Sequence, residues 1–183
     1  MTKKIMAIMA FVLLGSNFLS AQEIKWMTMD QAIAAQKTKP KKIFMDVYTV
    51  WCGPCVMLEK NTFKNKDVVK YINDNFYAVK FNAEGNEVVN YKGQKFDNPH
   101  YDPAKSTRRN SSHQFASALG VQAYPTMMFF DENADPILPI SGYMKPSQIE
   151  IFLKLIAQND YKNLKTKEEF SKYQSAFKGT FKD

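Results

Sequence analysis

The stretch FMDVYTVWCGPC, residues 44–55, restricts the fold more than any other part of this chain. Ile43, Phe44, Met45, Val47 and Tyr48 make a nearly continuous apolar run within residues 41–50, which predicts a buried strand. The run is broken by a single acid, Asp46, and leads into Cys52-Gly53-Pro54-Cys55. Beyond the second cysteine, Val56, Leu58 and Phe63 have helical spacing. A buried strand delivering a tight Cys pair to the start of a helix calls for an architecture that packs helices on a sheet.

The remaining segments agree. Thr28 and Gln31 form a capping box for a short helix, MDQAIAAQ, that must end before Pro40. Asn65 can cap a helix over KDVVKYINDNF, and YAVKFNA, residues 77–83, reads as a second strand. From residue 84 to 110 the pattern dissolves into Gly, Pro, Asn, Asp and Lys, which predicts a long loop or inserted excursion. Order returns with a helix over SSHQFASALGV, capped by Ser111 or Ser112, and then the strands PTMMFFD and PILPISG. In KPSQIEIFLKLIAQ, Ile149, Phe152, Leu153 and Ile156 share one helical face. The predicted class is α/β, a mixed central sheet flanked by helices. A chain of 183 residues, 45% hydrophobic, suffices for one such domain.

The two ends carry additions. Lys3 and Lys4 precede an apolar run over residues 5–15 and a short polar stretch ending at Ala21, the layout of a signal peptide over residues 1–21. The apolar run is short for a membrane span, so no membrane anchor is expected to remain after cleavage. A periplasmic or secreted location follows. The formal charge of +7 comes from dispersed lysines with no nucleic-acid motif, so no nucleic-acid partner is expected. At the other end, residues 159–183, Thr166 and Glu169 form a second capping box, and Phe170, Tyr173 and Phe177 make a stripe. That extension is expected to fold back and cover its stripe.

Cys52 and Cys55 are the only cysteines. A structural zinc site needs four ligands, and the chain adds only His100 and His113, in another region, so no metal is expected. A staple closing so short a loop removes little unfolded-state entropy. A redox dithiol is the reading that remains, and it needs no cofactor. At a helix start Cys52 would meet the positive end of the helix, which favours its thiolate. Pro54 fits the first turn, where a missing N–H costs nothing. Cys55, one turn further in, is expected to be the more buried. Asp46, surrounded by apolar neighbours, is expected to have a raised pKa.

These residues, with AYPTMMFF and Gly142 before the last sheet-packing helix, make the chain resemble the thioredoxin family over residues 26–158. The resemblance implies a thioredoxin-like domain over residues 22–158, with residues 84–110 inserted and residues 159–183 as a C-terminal helical extension. It implies that Cys52 attacks a substrate disulfide and Cys55 resolves the mixed disulfide. Asp46 would manage the proton of Cys55, with Lys80 as its partner and Gly53 and Pro54 shaping the loop. Trp51, Tyr124 and Pro125 would contact substrate, Pro125 through a cis peptide bond. The partners implied are disulfide-containing proteins and, outside the cytosol, a membrane thiol–disulfide reductase as electron donor. The Gly-Pro pair resembles that of reducing members. Disulfide oxidation or isomerisation, and a non-catalytic peptide-binding module, stay open as alternatives. By the strand-end rule the excursion is expected to border the dithiol, the alternative being a loop packed away from it, and His100 and His113 have no assigned role.

Overall fold

The computed structural model describes residues 23–183, so the expected signal peptide lies outside the described residues. In chain order come β1 (Trp26–Met27), α1 (Met29–Thr38), β2 (Lys42–Tyr48), α2 (Gly53–Asn61), α3 (Lys66–Asn75) and β3 (Phe76–Asn82). A hairpin of β4 (Val89–Tyr91) and β5 (Gln94–Phe96) precedes α4 (Gln114–Ala118), β6 (Thr126–Phe130), β7 (Pro136–Ser141), α5 (Pro146–Ala157) and α6 (Lys167–Ala176). Five strands form one sheet in the order β1-β3-β2-β6-β7. β2 runs parallel to β3 and antiparallel to β6.

β2 is central, and its residues from Lys42 to Val47 are all buried. The pleat sends alternate side chains to opposite faces. Ile43, Met45 and Val47 join Phe81, Phe115 and Phe130 on the face covered by α1 and α4. Phe44 joins Leu58, Val69, Ile72 and Leu153 on the face covered by α2, α3 and α5. Its ring lies 5.4 Å from Phe129 and 5.8 Å from Phe63, edge-rich contacts that add to the gain from burial. By the same alternation Asp46 falls on the α2 face. It sits near the end of β2 from which the chain passes to Cys52.

Three local features differ from the sequence expectations. β1 is too short to show any period, yet it pairs with β3 through Trp26 and Met27. The cap of α4 is His113, not Ser111 or Ser112: its Nδ1 accepts the Phe115 N–H at 3.0 Å. An accepting Nδ1 puts the ring proton on Nε2, which donates to the Glu87 carbonyl at 2.7 Å. His113 is fully buried, so it closes the base of the excursion from inside. The excursion is also more ordered than a loop. Lys92 and Gly93, both at positive φ, make the tight turn that joins β4 to β5. Tyr91 packs on Phe115 with 5.2 Å between ring centroids, and Asn90 bonds to Asp30 of α1.

At the C-terminal end, Phe170 stacks on Phe152 at 6.0 Å and Tyr173 donates to Asp160 at 3.2 Å. The last residues return to α5, where buried Glu150 accepts the Thr180 and Phe181 N–H groups. Among the described residues no helix is long and apolar enough to cross a membrane.

Candidate functional site

Cys52 and Cys55 are joined in a disulfide with 5.2 Å between their Cα atoms. Cys52 is the N-cap of α2, and its Sγ accepts the Cys55 N–H at 3.1 Å. Pro54 occupies the first turn, as its fixed φ and missing donor allow. Gly53 has open space where a Cβ would stand, so a side chain there would project freely beside the disulfide. The expected difference in burial between the cysteines is not present in the disulfide form: Cys52 is 3% exposed and Cys55 7%. What separates them is the opening each one lines.

Cys52 lines an open groove of about 530 Å³ together with Trp51, Tyr124, Arg109 and Asn110. The Tyr124–Pro125 bond is cis. The Tyr124 ring meets the Trp51 ring edge-on at 6.1 Å, so the residue before the proline and the residue before the dithiol form one wall. Buried Glu84, just beyond β3, fixes that wall from behind. Its Oε2 accepts from Trp51 Nε1 at 2.7 Å and from the Asn110 N–H at 2.8 Å. The return limb of the excursion is thereby tied to the same carboxylate as Trp51.

Cys55 lines a second cavity, of about 420 Å³, with Asp46, Thr49, Glu59, Lys80 and Trp26. Asp46 is 2% exposed and lies opposite Lys80 in the β2–β3 register. Lys80 Nζ is 3.0 Å from Asp46 Oδ2 and also pairs with Glu59. The ammonium lies over the Trp26 and Tyr48 rings at 4.8 and 5.1 Å, which stabilises its charge. Asp46 Oδ1 is buried with no hydrogen-bond partner. Burial pushes the Asp46 carboxyl above the usual aspartate range; Lys80 opposes the shift and the Glu59 charge adds to it. Burial also disfavours the Lys80 ammonium, but Asp46 and Glu59 together outweigh it and hold its pKa above the usual lysine value.

Every site residue expected from the sequence falls at one of these two openings or in the loop between them, except Pro125, which adjoins the groove through Tyr124. Glu59, Glu84 and Arg109 were missed. Glu59 follows Cys55 by four residues, one helical turn, and that spacing was a usable signal. Glu84 and Arg109 lie in irregular chain, where no period places a side chain. His100 is exposed and lines neither opening. Among the described residues no group of three or more His, Cys, Asp and Glu could hold a metal ion.

The profile of the thioredoxin-like domain family matches residues 29–157, and the chain belongs to that family. Its fold and its paired cysteines are those of a thioredoxin-like protein-disulfide oxidoreductase. A thioredoxin-fold protein from Helicobacter pylori has a similar structure, with a TM-score of 0.56 at 20% identity over 80% of this chain and 94% of that one. A thioredoxin from Thermus thermophilus gives 0.53 at 15% identity over 76% and 89%. A candidate disulphide-isomerase from Bacteroides thetaiotaomicron gives 0.51 at 25% identity over 74% and 93%. No curated protein matches the chain.

Proposed function

We propose that this protein reduces disulfides in other proteins outside the cytosol, with Cys52 as attacking thiolate and Cys55 as resolving thiol. The observation that carries the reading is the placement of one disulfide between two dissimilar openings. Cys52 lines the groove beside the cis-proline loop, and Cys55 lines the cavity that holds Asp46. Likeness to a candidate disulphide-isomerase at 25% identity supports protein disulfides as the substrate class.

In the reduced protein the Cys55 N–H and the α2 N-terminus stabilise the Cys52 thiolate. The thiolate attacks one sulfur of a substrate disulfide; that S–S bond breaks, and the other substrate sulfur leaves as a thiolate. Cys55 loses its proton across the shared cavity to the Asp46 carboxylate and attacks Cys52 Sγ. The mixed disulfide breaks, the second substrate sulfur leaves, and the protein is left as the Cys52–Cys55 disulfide. Two electrons have passed to substrate, and Asp46 returns its proton through solvent. Trp51, Tyr124 and the loop at Pro125 hold an extended substrate segment, while Gly53 and Pro54 keep side chains away from the approaching sulfur. Val50, Val56 and Met57, exposed beside the dithiol, extend an apolar contact surface.

The signal-peptide pattern of residues 1–21 supports the location, and the oxidised product then needs a membrane thiol–disulfide reductase to return it to the dithiol. Residues 22–158 form the working domain in this reading, with residues 84–110 inserted and residues 159–183 packed on as an extension. Insulin reduction driven by dithiothreitol should accelerate with the protein and not with Cys52→Ser, while Cys55→Ser should accumulate mixed disulfides with substrate. Equal rates for wild type and Cys52→Ser, alongside peptide binding, would replace the enzyme with a binding module.

A further inference from the structure

Arg108 and Arg109 are the only arginines among 25 basic residues. Both are exposed, and Arg109 stands over the Trp51 ring, its guanidinium carbon 4.2 Å from the ring centroid. Its backbone is firmly placed. The next residue, Asn110, donates its N–H to Glu84, and the Asn110 side chain exchanges two hydrogen bonds with the Asp102 backbone, at 3.0 and 2.8 Å.

The guanidinium itself makes no ion pair or hydrogen bond to another described residue, so its N–H donors are uncommitted. Of the residues lining the groove, only Arg109 and Glu84 carry charge. Glu84 is 6% exposed, with one carboxylate oxygen already shared by Trp51 and Asn110, so it is not presented to an incoming peptide. The charge the groove does present is a cation held on the tryptophan adjoining the attacking cysteine. A guanidinium resting on an aromatic ring keeps N–H donors for a carboxylate, in a fork geometry that an ammonium lacks.

We propose that Arg109 is a specificity-determining residue that selects substrate disulfides flanked by a carboxylate side chain. The proposal rests on the reading of the Cys52 groove as the exchange site. Arg109 acts on the substrate segment that lies along Trp51, binding an Asp or Glu beside the reacting half-cystine and repelling a Lys or Arg there.

The test uses three peptides, each with one internal disulfide and identical except for Asp, Asn or Lys beside the half-cystine. Their kcat/KM values are compared for wild type and Arg109→Gln. Wild type should favour the Asp peptide over the Lys peptide about tenfold at low salt, the combined effect of gaining one partly exposed charge pair and avoiding one like-charge contact. High salt should shrink the ratio, and in Arg109→Gln it should fall close to one. A wild-type ratio near one with the Asn peptide still reduced overturns the proposal alone. A parallel loss on all three peptides in Arg109→Gln, with the ratio kept, also overturns it, since that is what support of Trp51 by packing would produce. Failure of wild type to reduce even the Asn peptide overturns the exchange reading beneath it.

Discussion

Asp46 keeps one carboxylate oxygen on Lys80 and leaves the other buried without a partner. Such a group is costly to ionise, and burial accordingly raises its pKa against the pull of Lys80. A carboxyl with a raised folded pKa contributes stability that is fully present below the unfolded aspartate value and is lost as pH rises through the folded one. Asp46→Asn should therefore be more stable than wild type at pH 7 by ~1–3 kcal/mol, and the gain should vanish at acidic pH, where Asp46 is neutral as well. Glu59 continues to pair Lys80 in the variant. Urea melts of the oxidised proteins at both pH values check this, and an equal difference at the two would contradict it. Release of the mixed disulfide should slow more than its formation. Asp46 was legible because it is the one acid in an apolar strand. Glu84 was not, because it meets Trp51 across 33 residues, and neither residue lies in a periodic segment that would place its side chain.

Glu150 performs the equivalent anchoring task for the C-terminal segment. It is fully buried on α5 and accepts from Lys154 Nζ at 2.6 Å, from the Thr180 hydroxyl at 2.7 Å and from the Thr180 and Phe181 N–H groups. Burial works against its charge, but Lys154 and the Phe181 and Thr180 donors outweigh it and hold the carboxyl below the usual glutamate range. A depressed folded pKa means the anchor's contribution is present above the unfolded glutamate pKa and lost as pH falls through the folded one. Glu150→Ala should cost about 2 kcal/mol, the worth of hydrogen bonds to a charged group, and should release the tail. Amide exchange at Thr180 and Phe181, slow in wild type at neutral pH, should become fast in the variant. In wild type the protection of these amides, measured against intrinsic exchange at the same pH, should fall only once the pH drops below the usual glutamate range. Fast exchange in neutral wild type would show that the tail is not held. The Thr166–Glu169 box and the aromatic stripe of α6 were legible from spacing. This anchor was not, because Glu150 lies on the flank of an amphipathic helix and its partners sit in a tail without periodicity.

Across the whole molecule, the long buried elements were legible because each repeats its pattern over several residues. β1, β4 and β5 were not, since strands of two or three residues show no period and are held by what they pack against. Parallel β2 and β3 bring Asp46 and Lys80 level, and the chain leaving each strand supplies, in turn, the dithiol and the Glu84 carboxylate that supports Trp51. The direction of electron flow depends on how strongly this assembly stabilises the reduced cysteines. Cys52 Sγ has a single backbone donor, and Gly53 and Pro54 add no side-chain donor. Stabilisation limited to that donor and the α2 N-terminus leaves the dithiol a good reductant, whereas strong oxidants stabilise their reduced form further. The reduction potential of the Cys52–Cys55 couple tests this most directly. A value near that of thioredoxin, about −270 mV, is expected, and a value near that of the strong oxidant DsbA, about −120 mV, would overturn reduction as the direction of electron flow.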